Sequence, residues 1–90
     1  MKIEINNTLI KKIGELADRE GFNAFLVGGY VRDLLLGKKG IDIDIMVTGD
    51  GIGFAETVAK EFGTKLDAVY KNFETALLNL DEIKLEFASS

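Results

Sequence analysis

Two kinds of hydrophobic spacing follow one another along the chain. Over "NNTLIKKIGELADREG", Leu9, Ile13, Leu16 and Ala17 recur at three- and four-residue intervals, which predicts a helix with one apolar face. Asn7 or Thr8 stands where an N-cap is needed, and Gly21 where a left-handed residue ends the helix. Gly14 inside it costs about 1 kcal/mol relative to alanine, which the apolar face must outweigh. Phe25, Leu26 and Val27 then make a short continuous apolar run closed by Gly28 and Gly29, the pattern of a strand buried on both faces. A short helix is predicted over "YVRDLLLG", ended by Gly37, and "KKG" is a loop.

In "GIDIDIMVTGDG" the spacing changes to strict alternation. Ile41, Ile43, Ile45 and Val47 take one face of a strand, while Asp42 and Asp44 share the other. Asp50 is placed to cap "IGFAETVAKEFG", whose Phe54, Ala55, Val58, Ala59 and Phe62 form a stripe for core packing before Gly63 stops the helix. Three strand-like runs close the chain, "KLDAVY", "TALLNL" and "IKLEFAS", with connections short enough for antiparallel neighbours. The order α-β-α-β-α-β-β-β predicts an α/β (α+β) domain with a small mixed sheet of about five strands covered by helices.

Length and composition narrow the chemistry. Ninety residues, 47% of them hydrophobic, make one small domain with one modest core. Without cysteine or histidine there are no disulfides, none of the usual zinc patterns and no Ser–His or Cys–His nucleophile. Carboxylates, Lys, Arg, hydroxyls and bound ions remain. The net charge of −4 argues against strong non-specific nucleic-acid binding by this segment alone. The start "MKIEINNTLI" lacks the apolar stretch of a signal peptide, and no apolar run would span a bilayer, so the expectation is a soluble cytoplasmic domain.

Two stretches carry candidate chemistry. In "VGGYVRD" a strand meets Gly28-Gly29 and a helix follows at once, so unpaired amides and the positive end of a helix dipole could cradle a phosphate, with Arg32 adding a forked charge. The same glycines would also serve a plain strand-to-helix turn, with Arg32 pairing with a surface carboxylate. Asp42 and Asp44 could simply face solvent. Against that, like charges on one face repel and aspartate is a poor strand former. A divalent cation, hard and oxygen-seeking, would resolve the conflict. Brought together at one end of the sheet, the two stretches would suit a nucleoside triphosphate with magnesium (Mg2+).

"FLVGGYVRDLLLG" followed by "DIDIMVTGDGIGFAETVAKEFG" resembles the head domain of the class II CCA-adding enzymes and bacterial poly(A) polymerases, members of the polymerase-β-type nucleotidyltransferase superfamily. "NFETALLNL" and "IKLEFASS" resemble later strands of that head, so the likeness runs from about Phe25 to Ser90. The resemblance implies that Gly28 and Gly29 contact the triphosphate through backbone and that Arg32 binds phosphate. It implies that Asp42 and Asp44 hold catalytic magnesium and help activate the 3′-hydroxyl of an RNA end. Glu86, in "LEF", is the candidate third carboxylate, while Asp33 braces the turn. Lys38 and Lys39 precede the Asp strand and could draw in an anionic substrate, although a solvated loop pair is the commoner meaning.

The family's neck, body and tail normally follow the strand that ends here at Ser90. The expectation is therefore a single head domain over residues 1–90, incomplete without those regions, whose parent takes ATP or CTP and an RNA 3′ end of tRNA type. Alone it should polymerise little, and an exposed strand edge invites a homodimer. Two other readings stay open: a nucleotidyltransferase acting on a protein or small molecule, and a nucleotide- or metal-binding module without turnover.

Overall fold

The computed structural model describes residues 2–27, 41–80 and 83–90. The helix predicted over "YVRDLLLG" lies outside them, as do Gly28, Gly29, Arg32, Asp33, Lys38 and Lys39.

Alternation along the Asp-bearing run decides where the core sits. Strand β2 (Ile41–Thr48) buries Ile43, Ile45 and Val47 and leaves Asp42 and Asp44 exposed. Strands β4 (Thr75–Leu80) and β5 (Ile83–Ser89) repeat the pattern with Ala76, Leu78, Leu85 and Phe87 inward. With β1 (Asn23–Val27) and β3 (Ala68–Tyr70) they form a five-stranded sheet in the order β1-β2-β5-β4-β3. The sheet is mixed, as expected: β2 and β5 run parallel, and the other neighbours are antiparallel.

Among the described residues, two helices cover one face of this sheet. Helix α1 (Lys2–Glu20) contributes Ile13, Leu16 and Ala17, and α2 (Gly51–Glu61) contributes Phe54, Ala55, Val58 and Ala59. The Phe54 ring centres the layer, 4.9 Å from the Phe22 ring and 5.8 Å edge-on from Phe87. Phe54 and Phe87 are fully buried, each worth roughly 1.5–3 kcal/mol. Arg19 at the end of α1 bonds Glu61 of α2 at 3.2 Å, and this bond, then that to Glu20, raises the pKa of its guanidinium.

The start of α2 is locked to the end of β5. Asp50 caps the helix as predicted, its carboxylate accepting from the Gly53 N–H at 2.9 Å. The Gly51 N–H donates to Ser89 Oγ at 2.7 Å, and a Cβ on Gly51 would lie 2.9 Å from the β5 backbone. Only glycine fits there.

Three expectations change. Helix α1 starts at Lys2, upstream of the Asn7 or Thr8 cap, although Gly21 does end it at φ 79°. Strand β1 is an edge strand, with Phe25, Leu26 and Val27 exposed by 56%, 44% and 46%, rather than a strand buried on both faces. The run "KLDAVY" is a regular strand only from Ala68: the Asp67 N–H still donates to the Leu77 carbonyl at 2.9 Å, but the Asn79 N–H goes to the Asp67 carboxylate at 2.6 Å.

Candidate active site

The face away from the helices carries the candidate chemistry. Because Asp42 and Asp44 are two residues apart on β2, they stand on that face about 6.7 Å apart along the strand. Register then adds what spacing alone could not. Asp44 pairs with Glu86 on the parallel neighbour β5, and Asp42 pairs with Lys84. Neighbouring strands lie about 4.8 Å apart, so Glu86 is as near to Asp44 as Asp42 is, or nearer. All three carboxylates are exposed. Among the described residues none has an ion-pair or side-chain hydrogen-bond partner, the two ion pairs being those of Arg19 with Glu20 and with Glu61.

On the other side of β2, Val27 is the register partner of Asp44. The residue that leads directly into Gly28-Gly29 therefore stands across from the central carboxylate. A shallow depression of about 280 Å³ joins these positions, lined by Val27, Asp44, Ile45, Met46, Glu86 and Ala88. The structure thus brings together Asp42, Asp44 and Glu86; Gly28, Gly29 and Arg32 lie outside the described residues.

The donor set suits magnesium in one particular way. Among the described residues, no three acidic side chains converge closely enough to hold a metal by themselves. Magnesium rarely needs such a cage; it usually takes one or two carboxylates, keeps several waters and is completed by substrate phosphates. An open row of carboxylates beside a depression fits that kind of site.

Reading the sequence missed a second feature of the same face. Tyr70, Phe73 and Leu77 lie with Lys84 beside Glu86, around another depression. The signal was the pair of aromatics in "YKNFE", between two strands.

Comparison with known proteins gives this geometry a family. The family model described as "Poly A polymerase head domain" matches residues 24–90. An A-adding tRNA nucleotidyltransferase of Geobacter sulfurreducens is 41% identical over 91% of this chain, which corresponds to 9% of that protein. One from Halalkalibacterium halodurans is 40% identical over 91% of this chain and 19% of its own length. The chain therefore spans a fifth or less of these relatives. Among solved structures, a CCA-adding enzyme in complex with ATP superposes with a TM-score of 0.79 at 36% identity, covering 99% of this chain and 21% of that one. The Thermotoga maritima CCA-adding enzyme complexed with tRNA gives 0.75 at 37% identity, covering 96% and 21%. The mixed five-stranded sheet, its open acidic face and the match over residues 24–90 agree: this chain belongs to the poly A polymerase head domain family.

Proposed function

We propose that this chain is the catalytic head of an RNA nucleotidyltransferase, which binds a nucleoside triphosphate with magnesium and transfers the nucleotide to an RNA 3′ end. The observation that carries the reading is the row formed by Asp42, Asp44 and Glu86 on one open face, in register and unpaired among the described residues. Relatives named as A-adding tRNA nucleotidyltransferases, and solved neighbours bound to ATP, CTP or tRNA, support ATP or CTP as donor and tRNA as acceptor.

Asp42 and Asp44 would hold magnesium, which would neutralise the carboxylates and the phosphate oxygens crowded against them. Glu86 is assigned to orient the acceptor hydroxyl and receive its proton, which its register beside Asp44 supports. The 3′-oxygen forms a bond to the α-phosphorus, the bond to the β-phosphate oxygen breaks, and pyrophosphate leaves. Gly28, Gly29 and Arg32 are assigned to the triphosphate, which the position of Val27 opposite Asp44 supports. The net charge of −4 supports weak RNA binding by the head alone, so the chain by itself binds nucleotide but transfers it poorly.

Radiolabelled ATP and CTP, offered with a tRNA lacking its 3′ end, test the reading in the whole protein. Asp44→Asn should abolish transfer, as one carboxylate of the metal seat is lost. Undiminished transfer by that variant would refute it. A homodimer through the edge strand β1 is a further proposal, supported by the exposure of Phe25, Leu26 and Val27. Sedimentation over a range of concentrations checks it, and a constant monomer mass would remove it.

A further inference from the structure

A depression of about 390 Å³ on the open face is lined by Tyr70, Phe73, Thr75, Leu77, Lys84 and Glu86. Glu86 also lines the depression over Asp44, so one carboxylate borders both. The rim of the first depression is aromatic and open: Phe73 is 78% exposed and Tyr70 48%. Grouped exposed aromatics of this kind mark binding surfaces.

The turn that presents Phe73 is built rather than loose. Lys71–Phe73 form one turn of 3-10 helix, followed by Glu74 at φ 50°, a left-handed conformation that a glycine would adopt at less cost. Hydrogen bonds hold it there. The Glu74 N–H donates to the Lys71 carbonyl at 3.1 Å, the Glu74 carbonyl accepts from the Ser89 N–H at 3.0 Å, and Thr75 Oγ1 donates to the Phe73 carbonyl at 2.9 Å. The aromatic rim is thereby tied to the end of β5, the strand that carries Glu86.

We propose that this depression is a nucleobase subsite, in which a base stacks on Phe73 and Tyr70 while Lys84 and Lys71 attract the adjoining phosphate. Every base offers a π-face to an aromatic ring, and lysines beside such a platform track the backbone of a single strand. The proposal rests on the reading of Asp42, Asp44 and Glu86 as the nucleotide and metal site. The base is either that of the incoming nucleoside triphosphate or one near the acceptor RNA end.

The sequence contains no tryptophan and two tyrosines, so a Tyr30→Phe chain reports on Tyr70 alone by its fluorescence. This chain is titrated with magnesium plus tripolyphosphate, with magnesium plus ATP, and with a short RNA bearing a free 3′-hydroxyl. Tripolyphosphate should bind without quenching Tyr70, whereas ATP, the RNA or both should quench it. Quenching by ATP assigns the incoming base, and quenching by RNA assigns the acceptor. Phe73→Ala should weaken the quenching ligand roughly tenfold or more, and Phe73→Leu nearly as much, because it keeps the apolar bulk but loses the ring. Unchanged affinity in both variants overturns the subsite, as does a self-association of the chain that Phe73→Ala abolishes. Where tripolyphosphate binding is intact and depends on Asp44, only the subsite fails. If neither tripolyphosphate nor ATP binds, both readings fall.

Discussion

Asp44 on β2 and Glu86 on β5 are register partners on the uncovered face of the sheet, although 42 positions separate them along the chain. Two like charges held side by side, with no cation opposite either of them in the ladder, oppose folding. A bound cation would turn the arrangement into an advantage, beyond what Lys84, which faces Asp42, supplies.

Asp44→Asn should therefore stabilise the metal-free protein by about 0.2–1 kcal/mol, the usual size of a cross-strand charge effect. Thermal unfolding in the presence of chelator measures the gain. Adding magnesium with ATP should raise the unfolding temperature of the unaltered chain and leave the variant's almost unchanged, since only a bound ligand shifts the equilibrium. A variant that is less stable in chelator would show that Asp44 has a structural role.

Phe87→Ala should be the most damaging of these changes. The ring is fully buried and meets Phe54 edge-on at 5.8 Å. Its loss should cost about 3–5 kcal/mol in urea unfolding. Against a total of about 5–15 kcal/mol for a small domain, that leaves little margin.

Two glycines separate close approach from mere tolerance. Gly51→Ala forces a methyl to 2.9 Å from the β5 backbone and should cost roughly 1–3 kcal/mol, the range for overpacking. Gly14→Ala places its methyl with nothing within 4 Å, in the interior of α1, and should gain up to about 1 kcal/mol from helix propensity. Denaturant midpoints of the two variants should move in opposite directions.

Asp50→Ala removes the side chain that accepts from the Gly53 N–H and should cost about 1 kcal/mol. Asp50→Asn keeps an acceptor oxygen at that position and should lose much less. Equal losses would mean that the charge of Asp50, rather than its cap bond, stabilises α2.

How much of this was legible in the sequence depends on the range of the interaction. Asp42 and Asp44 were correctly placed on one face, because period-two alternation is local and Ile43, Ile45 and Val47 anchor it. The stripe of α2 and its Asp50 cap were legible for the same reason. The apolar run of β1 misled, since consecutive hydrophobic residues suit an interior strand and an edge strand equally well. The early start of α1 left no mark at Asn7 or Thr8, where good capping residues lie inside the helix. The pairing of Asp44 with Glu86 lies between distant segments, and no local pattern carries a parallel register. Glu86 was named through family resemblance, and the sheet now gives its position a physical basis.

The central claim is that Asp42 and Asp44 seat a divalent ion with its nucleotide, with Glu86 beside them in register. Paramagnetic manganese, added with ATP to isotope-labelled protein, tests it most directly through the amide signals of β2 and β5. The account predicts selective broadening at Asp42, Asp44, Met46, Glu86 and Ala88, lost in Asp44→Asn. Broadening that survives that substitution, or that centres elsewhere on the chain, would contradict it.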